Sequence, residues 1–255
     1  MRSLYLSFFL LLVFLLGCVS SPVMPSHSSP ASVNTTPFSL MTSDGFEIQG
    51  THYTPLGAVD VNALPTLILL HQYNRDHFDY ESFAIASAHQ HGFSVLALDL
   101  RGFGSSRLRR GATVDATSFT DVDYQRMSLD VEEVRLELGV ERVFLVGASI
   151  GANTVLNYAA AHPENTASIV LLSPGLNYKG ISVADAMKTV TVPALIIASK
   201  GDAYSSSSSQ QILSALPAMK KQLVLLDGSL HGTDMISPSQ SNAASVKEQL
   251  WNWLK

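Results

Sequence analysis

The chain has 255 residues, a hydrophobic content of 46% and a formal net charge of −5. That length suits one sizeable α/β core, and the weak acidity counts against a nucleic-acid binder, which carries a basic patch or stripe. Cys18 is the only cysteine, so no disulfide can form within the chain.

Arg2 precedes an apolar stretch, Leu4 to Leu16, of signal-peptide length and too short for a comfortable membrane span. It ends in Leu15-Leu16-Gly17-Cys18, which resembles the lipobox of bacterial lipoproteins, whose cysteine is acylated and becomes the first mature residue. The resemblance implies a signal segment over residues 1–18 and a lipid anchor on Cys18. Val19 follows in place of an aspartate, which by the same rule implies the outer membrane, facing the periplasm or the cell surface. Residues 19–37 are rich in Ser, Pro and Thr without apolar periodicity, and read as a disordered tether. A flexible coil of about 20 residues spans on the order of 25 Å. The folded domain is expected over residues 38–255.

Two runs, Phe38 to Thr42 and Phe46 to Tyr53, flank Ser43-Asp44-Gly45, a hairpin signal. Six short apolar runs follow: Thr66 to Leu70, Ser94 to Leu98, Val143 to Val146, Ile169 to Leu172, Ala194 to Ala198 and Leu223 to Leu226. Each is too short for a helix and lacks polar alternation, as strands buried on both faces do. Helical segments are expected at Tyr80 to His91, Leu129 to Leu138, Ile150 to Ala161 and Gln210 to Leu216. Strand and helix alternate, which predicts right-handed crossovers and one doubly wound α/β sheet of eight strands, two antiparallel and then six parallel. Trp251 and Trp253 read as the end of a packed C-terminal helix.

In such sheets ligands bind at the carboxyl ends of the strands, and Gly147-Ala148-Ser149-Ile150-Gly151 lies just past one. The glycines permit a sharp strand-to-helix turn that thrusts the serine hydroxyl above the sheet, beside the positive end of the next helix. The bland alternative is a tight glycine turn with an N-capping serine. Ser199-Lys200-Gly201-Asp202 follows the penultimate strand and Asp227-Gly228-Ser229-Leu230-His231-Gly232 the last one. With these three segments in order, the chain resembles the α/β-hydrolase superfamily, its minimal dienelactone-hydrolase-like and carboxylesterase-like members above all. The dienelactone enzymes themselves use cysteine where this chain has Ser149.

The resemblance implies Ser149 as nucleophile, His231 as general base and Asp202 as the acid that orients it. Asp202 also reads as a helix-start residue, and Asp234 lies too near His231 in the chain to orient it from beneath. The oxyanion donors implied are the backbone N–H groups of Ile150 and Tyr73, although Gln72 stands where the family usually has glycine and could take the second role. His71 reads as a brace for that loop. Asp99-Leu100-Arg101-Gly102-Phe103-Gly104-Ser105-Ser106 resembles another superfamily segment and reads as structural. Arg107, Arg109 and Arg110 read as a solvated face, or more sharply as a contact for anionic substrates or lipid headgroups. His77, His89 and His91 form no zinc motif, and neither a metal nor an organic cofactor is implied.

The insertion between Leu172 and Ala194 holds room for one short helix near Val183 to Met187, not a large cap. An exposed site on small or soluble carboxylic esters is therefore expected, worked by a lipid-anchored serine esterase whose hydrolysis rises as a histidine base loses its proton. A peptidase, amidase or thioesterase on short substrates is the enzymatic alternative. A non-catalytic binding module on the same fold is the alternative of another class. Substrate identity and oligomeric state are not encoded in any motif.

Overall fold

Both faces of a central sheet are apolar in this chain, and the arrangement of its helices follows from that. The computed structural model describes residues 33–255; the signal segment, Cys18 and most of the expected tether lie outside the described residues. Eight principal strands run β1 (Val33–Met41), β2 (Phe46–Pro55), β3 (Thr66–Leu70), β4 (Ser94–Leu98), β5 (Val143–Ala148), β6 (Thr166–Leu172), β7 (Ala194–Ser199) and β8 (Lys221–Leu226). Their order across the sheet is β8-β7-β6-β5-β3-β4-β2, with β1 paired to β2. From β3 to β8 every pairing is parallel, whereas β1, β2 and β4 pair antiparallel. A two-residue hairpin, Leu108–Arg109 with Ala112–Thr113, extends the sheet to ten strands beyond the eight expected.

Alternate residues of each strand feed opposite cores. Ile68, Leu70, Leu145, Ile169 and Ile196 meet helices α2 (Met127–Glu137), α3 (Ile150–Ala161) and α4 (Ala203–Ala215). Leu67, Leu69, Val146, Val170 and Ile197 meet α1 (Glu81–His91) and α5 (Ala243–Trp253) on the other face. This double burial is why the strands carry unbroken apolar runs. Trp251 stacks on Phe83 with ring centroids 5.4 Å apart and donates its indole N–H to Ser87 Oγ at 2.9 Å, which packs the C-terminal helix onto α1.

Three boundaries differ from expectation. β1 begins at Val33, ahead of Phe38, so residues 33–37 of the expected tether are strand. Those residues are mostly exposed on an edge strand, paired through the backbone from Val33↔Pro55 onward, and so carry no apolar pattern. Helix α4 begins at Ala203, not near Gln210, because Ser205, Ser206, Ser208 and Ser209 pack inside it. Serine is a weak helix former, and here small side chains let the helix lie close to the sheet. The insertion after β6 forms a two-residue hairpin, Asn177–Tyr178 with Ile181–Ser182, and a single 3₁₀ turn, Ala186–Lys188, in place of a helix at Val183 to Met187.

Candidate active site

Ser149 occupies the turn from β5 into α3 with φ 53° and ψ −112°, a conformation that strains a residue with a side chain by about 1–3 kcal/mol. The glycines around it explain how the turn closes. A Cβ on Gly147 would stand 2.3 Å from the Gly151 carbonyl oxygen, and one on Gly151 would stand 2.4 Å from that of Leu70. The backbone N–H of Ser149 donates to Leu172 at 2.8 Å, which fastens the turn to β6. Ile150 opens the helix, so its N–H has no carbonyl partner within α3.

Asp202 and His231 meet at the ends of β7 and β8, with His231 Nδ1 2.6 Å from Asp202 Oδ2. The loops that carry them are laced together: Gly201 N–H donates to Gly228 at 2.7 Å and Ser199 Oγ to the Leu230 carbonyl at 2.6 Å. Asp202 also caps α4, accepting the Ser205 N–H through Oδ1 at 3.3 Å. Its two sequence readings, helix-start residue and histidine partner, therefore hold at once, one oxygen for each. Burial pushes its carboxyl up, but hydrogen bonds from His231 and Ser205 outweigh that and hold it below the usual aspartate value. Asp234 turns away and pairs with Arg75 at 2.9 Å.

The loop after β3 is braced from beneath. His71 is fully buried; its Nε2 accepts the Leu100 N–H at 2.9 Å, so Nδ1 carries the proton and donates to the Gln72 carbonyl at 2.7 Å. Burial pulls its pKa down, which suits this neutral form. Gln72, standing in place of the family's glycine, sends its side chain across to the histidine loop and accepts the Thr233 N–H at 2.8 Å. Ser173 Oγ accepts the adjacent Gly232 N–H at 3.0 Å, so two polar side chains hold the backbone just past His231. Sequence reasoning missed Ser173. Its only signal is a serine immediately past β6.

Tyr178, from the small insertion hairpin, was also missed, and it closes the site. Its ring meets that of His231 edge-on at 6.3 Å, and its hydroxyl lies 3.0 Å from Ser205 Oγ. Burial and the Asp202 charge push this hydroxyl's pKa up, and the hydrogen bond with Ser205 only partly offsets them. Tyr178 thus faces the His231 ring and stays un-ionised. Ser149 is only 6% exposed, so the site is more covered than the length of the insertion suggested. The cover is anchored rather than loose: Asn153 of α3 accepts the Gly175 N–H at 3.1 Å and donates to the Ile181 carbonyl at 2.9 Å.

The segment 99–106 is structural. Asp99 accepts from His77 Nδ1 and the Ser105 N–H, and Arg101 is buried between Asp130 and Asp44. Arg109 is drawn to Asp44 and Asp123, at 3.5 and 3.6 Å. Arg107 lines a polar cleft of about 260 Å³ with Asn74, Arg75, Asp76, Phe103, Gly104 and Asp115. A larger cleft, about 390 Å³, lies at the amino ends of β7 and β8 beside Trp253 and holds none of the residues above.

The model of the alpha/beta hydrolase fold family matches residues 65–196, just over half of the chain. The chain belongs to the α/β-hydrolase family. A relative from Mycobacterium phage D29 that carries a non-heme haloperoxidase name is 31% identical over 134 residues, 52% of this chain and 41% of its own. The sn-1-specific diacylglycerol lipase ABHD11 of Mus musculus is 28% identical over 137 residues, 51% of this chain and 41% of its own. The matched region thus spans about two fifths of the length of these curated relatives. The solved carboxylesterase CesB (YbfK) of Bacillus subtilis superposes with a TM-score of 0.65 at 17% identity, covering 88% of this chain and 93% of its own. That likeness concerns the fold.

Proposed function

We propose that this α/β-hydrolase is a serine hydrolase that cleaves small or soluble carboxylic esters. The observation that carries the reading is the strained Ser149 just past the carboxyl end of β5, on the same side of the parallel sheet as the 2.6 Å His231–Asp202 hydrogen bond past β7 and β8. The esterase and lipase names among the similar proteins support ester chemistry.

In this reading Ser149 Oγ bonds to the acyl carbon while its proton passes to His231 Nε2. Asp202 holds the opposite ring nitrogen and stabilises the imidazolium. The N–H groups of Ile150 and Tyr73 receive the negative charge that develops on the carbonyl oxygen. As the C–O bond breaks, His231 returns the proton to the departing alcohol. Water then adds to the acyl-enzyme, gives its proton to His231, and the acid leaves as Ser149 Oγ takes the proton back.

The test is hydrolysis of p-nitrophenyl esters from acetyl to palmitoyl, with Ser149→Ala alongside and folding checked by circular dichroism. The folded variant is expected to lose on the order of 10⁵-fold or more in kcat. Undiminished turnover would remove the serine mechanism. Turnover of amides or thioesters only would move the reading to those substrates, and none at all would favour a binding module.

The reading includes a membrane tether through a lipid on Cys18, resting on Leu15-Leu16-Gly17-Cys18 and the outer-membrane expectation from Val19. Cell fractionation checks it: the intact protein is expected with membranes and Cys18→Ser in the soluble fraction. Equal partitioning of the two would sink the tether.

A further inference from the structure

The tip of the insertion hairpin carries a feature that its fold does not need. Tyr178 pairs with Ile181, so Lys179 and Gly180 are the two loop residues, with φ of 51° and 79°. Two-residue hairpin loops with both φ values positive favour Asn-Gly or Asp-Gly, because a longer side chain strains the first position. A lysine stands there instead. Its ammonium lies 4.6 Å from the centre of the Tyr73 ring, in the loop proposed to supply an oxyanion donor. Tyr178, the preceding residue, presents its ring edge-on to that of His231, with centroids 6.3 Å apart.

Among the described residues the cation also has no ion-pair partner, whereas Lys188 and Lys200 pair with aspartates. Asp121 packs against Gly180 without reaching it. The nearby guanidinium groups are occupied: Arg75 by Asp79 and Asp234, Arg107 by Asp115. Lys179 is thus an exposed, unpaired charge at the rim of the site. Hydrogen bonds fix the hairpin beneath it, from Gln125 to the Gly180 carbonyl and from the Asn177 N–H to Tyr204.

We infer that Lys179 selects esters carrying an anionic group, a carboxylate or phosphate, on the part of the substrate that projects from the site past Tyr73. The inference rests on the serine-ester reading above. A single exposed contact sets its size: an effect of about fivefold in kcat/KM, screened by salt.

The experiment compares p-nitrophenyl butyrate with p-nitrophenyl hemisuccinate and p-nitrophenyl phosphonopropionate on the full chain, Lys179→Asn and Lys179→Glu. Asparagine suits the positive φ, so Lys179→Asn is expected to keep or raise the melting temperature. It should lower the anionic-to-neutral ratio of kcat/KM about fivefold, and Lys179→Glu should lower it further. The parent preference should shrink between low and high salt, and the two anionic esters tell carboxylate from phosphate. A ratio unchanged in both variants, with the butyrate still hydrolysed, overturns the inference and leaves the esterase reading standing. An effect seen only on anionic vesicles, not on soluble esters, overturns it in favour of a lipid surface. If no ester is hydrolysed by the parent chain, the esterase reading itself fails.

Discussion

Two histidines in this molecule grip an aspartate through Nδ1: His231 with Asp202 at 2.6 Å, and His77 with Asp99 at 2.8 Å. The second pair even continues to a hydroxyl, since His77 Nε2 lies 2.9 Å from Thr51 Oγ1. On distances alone they are equivalent. They differ in setting. The His77 and Asp99 side chains are 7% and 1% exposed, against 34% and 16% for His231 and Asp202. Asp99 is held by three donors, His77 Nδ1, the His77 N–H and the Ser105 N–H, and so knits the loops after β3 and β4 together. Thr51 sits within strand β2, with no strained turn and no helix N-terminus beside it. A hydrogen-bonded His–Asp pair is therefore not itself a sign of catalysis. Greater exposure, and a serine lifted out of regular structure on the same side of the sheet, separate the His231 pair from the buried one.

Parallel substitutions in the two aspartates give the sharpest test of this comparison. Asp202→Asn is expected to leave the fold in place and lower kcat on the order of 10⁴-fold, by presenting the wrong histidine tautomer. Asp99→Asn is expected to keep its activity per folded molecule and lose about 2–3 kcal/mol of stability, read from denaturant unfolding. Were the two phenotypes exchanged, the buried pair would be the working one.

A smaller effect separates the same regions by pH. Burial lowers the pKa of His71 and of His52 from the ordinary 6.5, so the unfolded chain takes up these protons first. Their contribution to stability is complete above about pH 6.5 and declines as the pH falls below it. Asp130 acts in the opposite sense: burial, with Asp44 and Glu133 near, pushes it up to about 6, so its penalty is relieved as the pH falls from about 6 toward 3.8. Asp44, Asp99 and Asp202 are lowered from 3.8, Asp44 to about 2, and their contribution is lost as the pH falls through the lowered values. The expected melting temperature declines gently between pH 6.5 and 4 and steeply below. A melting temperature that rises steadily down to pH 3 would contradict this balance.

The amino-acid order by itself determined the strands buried on both faces, because only a covered sheet tolerates runs such as Thr66–Leu70 and Ser94–Leu98 without alternation. It also determined the turn at Ser149, because Gly147 must pass close to the Gly151 carbonyl only four residues on. These features depend on near neighbours in the chain. Tertiary structure alone decided what crosses the sheet. Gln72 reaches Thr233, Ser173 holds Gly232, and Tyr178 meets Ser205 and faces His231, at separations along the chain that no periodicity encodes. Strand β1 was hidden for a related reason: an edge strand held by backbone pairing needs no apolar pattern. The lysine at the hairpin tip shows both limits. Lys179-Gly180 is visible as a turn only once Tyr178 and Ile181 are seen to pair, and its charge gains a direction only when the hairpin folds over Tyr73.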